Sequence, residues 1–93
     1  MYGNQMKTLT LKYYQDPGHG WVRIAKDKLK ELNIAHLISH YSYERNNVAF
    51  LEEDCDLGIL FTACDNLGIE IKLKDFNTNR QSKIRTYNHY TKE

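Results

Sequence analysis

The chain has few of the residues that interrupt a fold or cross-link it: its 93 residues include one proline, five glycines and two cysteines. Cys55 and Cys64 are nine positions apart, whereas a zinc site typically uses the spacing Cys-x-x-Cys. No run of about 18 apolar residues is present, so we expect no membrane span. The first residues lack the apolar stretch of a signal peptide, and we therefore expect a cytoplasmic protein whose cysteines remain reduced thiols.

Nucleotide-binding fingerprints are also missing. The sequence Gly-His-Gly at residues 18–20 has neither the glycine spacing nor the following helix of such a motif. It belongs to the stretch 13–21, which also holds the single proline and the single tryptophan. Pro17 followed by Gly18 predicts a type II turn in which Gly18 has a positive φ. The turn does not require His19, which stays open as a loop residue, a recognition residue or a general base.

Hydrophobic periodicity predicts one domain of the α+β class over residues 1–93. The predicted strands are 7–14, 21–25, 39–44, 48–51 and 69–76, with 82–87 as a sixth, edge strand. The predicted helices are 26–33 and the segment between Asp54 and Gly68. The order is β-β-α-β-β-α-β, which favours two layers: a mostly antiparallel sheet of five to six strands with two helices on one face.

The second predicted helix has the clearest boundary signals. Asp54 is a good N-cap, and Gly68 stands where a C-terminal glycine is expected. Gly58 inside this helix costs about 1 kcal/mol relative to alanine, which predicts a close approach of the helix to the sheet. The apolar stripe of the helix consists of Leu57, Leu60, Phe61, Cys64 and Leu67.

The densest charge in the chain is the acidic run Glu52-Glu53-Asp54-Cys55-Asp56. It lies in a segment, residues 35–66, that carries one arginine against six acidic residues. Three interpretations stay open: stabilisation of the helix N-terminus, an exposed patch that contacts a partner, and a divalent metal site of a hydrolase. The flanking segments are basic, and a surface of two signs favours a protein partner over uniform nucleic-acid binding.

A second charged pattern lies toward the end of the chain, where basic residues and tyrosines alternate. Rings of this kind can stack on bases while cations follow the phosphates, so the pattern predicts single-stranded nucleic-acid binding as an alternative function. The residues concerned are Lys72, Lys74, Arg80, Lys83, Arg85 and Tyr87.

Four short motifs together resemble a known group of proteins: Asp-Pro-Gly-His-Gly-Trp at 16–21, Tyr-Ser-Tyr at 41–43, Leu-Glu-Glu-Asp-Cys-Asp at 51–56 and Ser-Lys-Ile-Arg-Thr-Tyr at 82–87. Over most of residues 10–90 the chain resembles small uncharacterised proteins carried by phages, prophages and plasmids. This resemblance implies an accessory protein of a mobile element in a bacterial host cell. Many such proteins inhibit host defence by binding, anti-CRISPR proteins among them, and the resemblance implies no catalytic residue.

The leading hypothesis is a non-enzymatic binding protein that needs no metal or cofactor. It would dock on a host protein or ribonucleoprotein and block it sterically or by mimicking nucleic-acid charge. The predicted contacts are an acidic patch of Glu52, Glu53 and Asp56, with His19 and Tyr43 as aromatic residues at its rim. The alternatives are the nucleic-acid-binding protein described above and a metal-dependent hydrolase at the acidic run.

Overall fold

Six strands form one sheet in the computed structural model, which describes residues 7–92. In chain order the strands are β1 (Lys7–Gln15), β2 (Gly20–Ala25), β3 (Tyr43–Arg45), β4 (Val48–Glu52), β5 (Ile69–Asn77) and β6 (Asn88–His89). Their spatial order is β5-β1-β2-β4-β3-β6. Within this sheet only β1 and β5 run parallel, and every other neighbouring pair is antiparallel. The predicted α+β class and mostly antiparallel sheet are confirmed.

Two α-helices pack on one face of the sheet, which we call the helix face. They are α1 (Lys26–Glu31) and α2 (Leu57–Asn66), and short 3-10 helices occur at Ala35–Leu37 and Lys83–Thr86. Because a parallel pair needs a long crossover, the chain leaves β4, passes through α2 and returns as β5 beside β1. The core on this face combines strand and helix residues: Val22, Ile24, Leu29, Leu32, Ile34, Ile38, Ala49, Leu51, Leu57, Leu60, Cys64 and Tyr90.

Strand alternation decides which side chains face this core. Leu9 and Leu11 of β1 lie opposite Ile71 and Leu73 of β5, and all four pack against the core. The residues between them point to the other face of the sheet, which we call the outer face, because successive side chains in a strand alternate. The sequence pattern therefore identified the buried side of both strands.

Residues 78–87 cross the outer face, and we call this segment the strap. It joins β5 at one edge of the sheet to β6 at the other edge. Ile84 of the strap packs with Trp21 and Phe50 in a second apolar cluster. The predicted strand at 82–87 is wrong: this stretch contains the 3-10 helix, and the last strand is confined to β6. A segment that lies on a sheet face has no neighbouring strand edge with which to pair.

Three residues that end a helix or form a turn have positive φ: Asn33 at 59°, Asn46 at 57° and Gly68, the predicted C-terminal glycine, at 72°. The predicted type II turn at Gly18 is wrong, because Gly18 is not among the described residues with positive φ. Gln15 pairs with Gly20, so the loop contains only residues 16–19. Hydrogen bonds to the side chain of the first loop residue close this loop, as described below.

Three expectations for the second helix are corrected. The helix begins at Leu57 with Asp56 at the N-cap position, so the acidic run precedes the first turn instead of occupying it. Gly58 has nothing within 4 Å of the position of an added Cβ, so it marks no close approach to the sheet. Phe61 and Leu67 are 41% and 60% exposed, so the buried stripe of this helix is limited to Leu57, Leu60 and Cys64. The predicted strand 39–44 is also shorter and starts later, as β3.

Candidate functional site

Asp16 is the central residue of the loop between β1 and β2. Its side chain is fully buried and accepts five hydrogen bonds. Oδ1 accepts from the backbone N–H groups of Gly18 and His19, both at 2.9 Å, and Oδ2 accepts from the N–H of Ser82 at 2.9 Å. Arg85 of the strap donates to both oxygens, from Nε at 2.7 Å and from Nη2 at 2.9 Å. The carboxylate therefore joins the loop to the strap.

The charge state of Asp16 follows from these contacts. The Arg85 guanidinium, followed by the three backbone N–H groups, holds the pKa of the Asp16 carboxyl well below its usual range, against the opposing effect of burial. The guanidinium carbon of Arg85 also lies 5.5 Å from the centre of the Trp21 ring. The Arg85 charge thus interacts with two groups of the protein itself, the Asp16 carboxylate and the Trp21 ring.

Glu52, at the end of β4, organises the turn that follows it. Its Oε1 accepts from the backbone N–H groups of Asp54 at 2.7 Å and Cys55 at 3.1 Å. Its Oε2 lies 3.1 Å from Nδ1 of His19, which orients the imidazole. The Glu52 side chain is 9% exposed, whereas that of His19 is 45% exposed. This carboxylate therefore fixes two neighbouring segments and presents the histidine to solvent.

Asp56 anchors a third segment, residues 39–42. Its carboxylate accepts hydrogen bonds from the hydroxyls of Ser39 and Ser42 and from the backbone N–H of Ser39. The Ser42 hydroxyl in turn accepts from the N–H of Glu52 at 2.9 Å. These bonds hold the two tyrosines that flank Ser42, Tyr41 and Tyr43, beside the end of β4.

The exposed acidic patch predicted at Glu52, Glu53 and Asp56 is corrected by burial. Asp56 is 1% exposed and Glu52 is 7% exposed, because both carboxylates are consumed by internal hydrogen bonds. The exposed acids at this place are Glu53 and Asp54. Glu53 accepts a hydrogen bond of 2.6 Å from the Tyr13 hydroxyl. Desolvation and then the Glu53 carboxylate raise the pKa of Tyr13 to about 12.

A cavity of about 260 Å³ lies where these segments meet. Loop and β2 residues from 16–21, the tyrosines of 41–43, the turn of 51–56 and the strap residue from 82–87 all contribute to its wall. These are the same four motifs that stood out in the sequence, although they are far apart along the chain. The lining residues are His19, Trp21, Tyr41, Tyr43, Glu52, Asp54, Cys55 and Arg85.

Trp21 gives this cavity an unusual wall. It is 1% exposed, and its indole nitrogen is the one buried side-chain polar atom among residues 7–92 that has no hydrogen-bond partner. Such orphaned groups are rare in folded proteins. His19 and Tyr43 lie on the same indole, with ring centres 6.0 and 6.3 Å from it. The cavity therefore has an aromatic wall, and the tryptophan in that wall has a buried indole N–H without a hydrogen-bond partner.

The four carboxylates of the acidic run do not converge on one point. Asp56 is directed to the serines, and Glu53 is directed to Tyr13. Within residues 7–92, the group with metal-ligand geometry is His19, Glu52 and Asp54, whose ligand atoms lie within 4.8 Å of one another. Both oxygens of Glu52 already have hydrogen-bonding neighbours, so this donor set is better suited to a hydrogen-bonding guest than to a bare ion.

Neither cysteine has the properties of a nucleophile. Cys55 is exposed in the turn, but desolvation of its sulfur and the negative charges of Glu52, Asp56 and Asp54 raise the pKa of the thiol. Cys64 is in the core, where burial raises the pKa of its thiol. A raised thiol pKa reduces the fraction of thiolate, which is the reactive form.

Two of the six residues predicted for nucleic-acid binding have partners inside the protein. Arg85 is paired with Asp16, and Tyr87 packs against Phe50 with ring centres 5.2 Å apart. Arg80 and Lys83 are exposed on the strap, and Lys72 and Lys74 are exposed on β5. Sequence reasoning missed Lys12 and Arg23, which the strand register places in line with Lys74. The alternation of β1 in the sequence already placed Lys12 on the face opposite Leu9 and Leu11, and this pattern could have identified it as an exposed cation.

No family model matches the chain, and no curated protein or solved structure matches it. The similarity to proteins of mobile elements therefore remains an expectation from the four motifs. Among residues 7–92, no helix has the length and apolar character needed to cross a membrane.

Proposed function

We propose that the protein is a small non-enzymatic binding protein of a mobile genetic element, which inhibits a host defence complex by docking on it. The target is a protein or a ribonucleoprotein, and the contact surface is the rim of the cavity. The observation that carries this proposal is the meeting of four distant sequence motifs at one cavity. We call this surface the docking site and define it by four residues that line the cavity, His19, Tyr41, Tyr43 and Asp54, together with the neighbouring exposed acid Glu53.

The construction of the docking site supports binding. Three buried carboxylates, those of Asp16, Glu52 and Asp56, fix the segments that carry the exposed side chains. A surface fixed in advance loses less conformational entropy when a partner binds. Tyr41 is 59% exposed and His19 is about half exposed, so the rim offers rigid aromatic area of the kind enriched in interfaces.

The chemistry of the docking site supports binding over catalysis. In the described part of the chain, the hydrogen-bond partner of the His19 ring is Glu52, and no hydroxyl or thiol is bonded to that ring. The pKa of the nearby Cys55 thiol is raised, which opposes nucleophilic attack. The Arg85 guanidinium is already paired with Asp16.

The charge of the docking site indicates the kind of partner. Asp54 is an exposed acid that lines the cavity together with Tyr41, and Glu53 is an exposed acid next to it in sequence, so the rim combines negative charge with aromatic rings. This combination complements arginine and lysine side chains, through ion pairs and cation–π contacts. Surfaces that bind nucleic acid are basic, and a defence ribonucleoprotein presents such a surface. An acidic inhibitor would occupy it in place of nucleic acid.

A charge-reversal experiment tests the docking site. We expect Glu53→Lys combined with Asp54→Lys to abolish inhibition in a plasmid-interference assay in a bacterial host that carries the targeted defence system, because two attractive charges become repulsive. The matched control reverses two exposed helix acids, Asp27→Lys with Asp65→Lys, and should retain inhibition. The control should keep a thermal unfolding midpoint close to that of the wild type, and the variant of Glu53 and Asp54 should lose only about 1 kcal/mol, since it gives up the exposed hydrogen bond between Tyr13 and Glu53. Full inhibition by the variant of Glu53 and Asp54 would refute the assignment.

A further inference from the structure

The outer face of the sheet at β5, β1 and β2 carries a row of exposed cations. Lys12 of β1 lies directly opposite Lys74 of β5 on one side and Arg23 of β2 on the other. Neighbouring strands are about 4.8 Å apart, so the three residues form a short line across the sheet. Lys72 lies two residues from Lys74 on the same face of β5 and is also exposed. We call Lys12, Arg23, Lys72 and Lys74 the basic face.

The cations of the basic face are not neutralised within the described chain. The ion pairs formed among residues 7–92 involve other cations, namely His19, Lys26, Lys28 and Arg85. The acidic residue of this face on β5 is Glu70, which lies toward the start of the strand opposite Thr8. Like charges directly across a sheet destabilise it, so the row is unfavourable for folding alone. A bound polyanion would relieve that repulsion.

Aromatic rings adjoin the cations one step along the strands. Tyr14 lies opposite Phe76, and their rings stack with centres 5.3 Å apart. Phe76 is 37% exposed, and the Nζ atoms of Lys12 and Lys74 each lie 5.8 Å from its centre. The basic face therefore ends in a partly exposed aromatic stack. A partner bound by charge alone would make no use of these rings, whereas a nucleic acid can stack a base on them.

The strap extends this surface. A cavity of about 300 Å³ lies between the strap and the sheet, and Tyr14, Arg23, Lys83 and Tyr87 are among its lining residues. Lys83 adds a further exposed cation beside Arg23. Cations and aromatic rings thus continue from the sheet edge at β5 to the middle of the outer face.

We propose that the basic face binds single-stranded nucleic acid, with Lys12, Arg23 and Lys74 on phosphates and the stack of Tyr14 and Phe76 on a base. A sheet face with exposed rings contacts unpaired bases, whereas the bases of a duplex are covered by their own stacking. This inference is independent of the docking site, which uses other residues and the opposite charge.

Fluorescence anisotropy with a labelled single-stranded oligonucleotide tests the basic face. At about 50 mM salt we expect binding, with an affinity that falls as salt rises. Lys12→Gln combined with Lys74→Gln should reduce the slope of log affinity against log salt by about 1.4, since each phosphate contact in a single strand contributes about 0.7. Lys30→Gln combined with Lys92→Gln removes the same charge from exposed positions elsewhere and should leave the slope unchanged.

A ring deletion and two competitors complete the test. Phe76→Ala should weaken binding about tenfold through loss of base stacking, with little change in salt slope. Absence of binding at about 50 mM salt would overturn the proposal, and so would a slope unaffected by the variant of Lys12 and Lys74. Binding of a duplex with the same affinity as the single strand would also overturn the proposal. So would binding of heparin with the same affinity together with no effect of Phe76→Ala, because both results would show attraction to any polyanion. Each variant should give a circular dichroism melting curve like that of the wild type, which shows that the variant folds.

Discussion

Single side chains with buried charge hold the candidate site together. Asp16 is the strongest case, because its carboxylate has no exposed surface and joins the loop at Gly18 and His19 to the strap at Ser82 and Arg85. A buried carboxylate without its partners is costly, whereas one that is fully hydrogen-bonded is stable. The position of the loop thus depends on a residue that lies beneath the contact surface.

Replacement of Asp16 should be strongly destabilising and dependent on pH. We expect Asp16→Asn to lower the free energy of unfolding by about 3 kcal/mol at pH 7, because Arg85 loses its charged partner. The folded-state pKa of Asp16 is depressed, so its contribution is present above the ordinary value of 3.8 and is lost as pH falls toward the folded-state pKa. The difference between the two proteins should therefore shrink below that pH.

Urea unfolding at several pH values measures this difference. Asp65→Asn, which removes an exposed acid on α2, is the control and should change stability by less than about 0.5 kcal/mol. A difference between wild type and Asp16→Asn that stays constant down to pH 2.5 would show that the Asp16 charge does not act as described.

At the scale of the element, two glycines, Gly58 in α2 and Gly20 in β2, differ in whether their surroundings require a glycine. Gly58 lies in the first turn of α2 with open space around it, so no contact requires a glycine there. Gly20 begins β2 opposite Gln15, and a Cβ at Gly20 would lie 2.8 Å from ring atoms of Tyr13. The Tyr13 ring is held in turn by its hydrogen bond to Glu53. The local sequence predicts that Gly58, inside a helix, is required by close packing. The structure shows that the close contact is at Gly20 instead.

Alanine substitutions should separate the two glycines. We expect Gly58→Ala to stabilise the protein by about 0.5 kcal/mol, through the lower entropy of the unfolded chain. Gly20→Ala should destabilise it by roughly 1 to 3 kcal/mol, because the Tyr13 ring must move. Chemical denaturation of both variants measures the effects. A loss of stability in Gly58→Ala would show that this position does meet a neighbour, and a neutral Gly20→Ala would show that the ring is free to shift.

At the scale of the whole molecule, the helices cover one face of the sheet and the strap covers part of the other face. Ile84 is 4% exposed and seals Trp21 and Phe50. The chain must cross the outer face to reach β6, so the strap is a consequence of the strand order. The part of the outer face beyond the strap keeps its cations in solvent, so the proposed docking site and the basic face are separate parts of one sheet.

Loss of the strap contact should destabilise the entire domain. We expect Ile84→Ala to lower the free energy of unfolding by about 2 to 4 kcal/mol, as for other buried isoleucines. The single tryptophan, Trp21, reports on this cluster, so its fluorescence and far-ultraviolet circular dichroism should give the same midpoint in urea. Leu37→Ala is the control at an exposed apolar residue, with an expected change of less than about 0.5 kcal/mol. An Ile84→Ala effect as small as this control would contradict the packing of the strap.

Particular elements show which features were predictable. Leu9 and Leu11 of β1, and Ile71 and Leu73 of β5, alternate in sequence, and alternation is a local property that identifies a strand and its buried side. The predicted helix 26–33 has the correct start and ends two residues early, at Glu31, and its last predicted residue, Asn33, has the positive φ that asparagine tolerates. The prediction of a strand at residues 82–87 of the strap was wrong, because a pattern of apolar and polar residues does not distinguish pairing at an edge from packing on a face.

The sequence by itself determined the class of fold, the alternating faces of the strands and most of the turns, since these depend on neighbours along the chain. Tertiary structure alone decided which charges are used internally. Glu52 and Asp56 belong to the same acidic run as Glu53, yet they are buried and hydrogen-bonded to other segments. Lys12, Arg23 and Lys74 are distant in sequence and become a row through strand register. Burial and register are relations between distant segments, so only the folded chain specifies them.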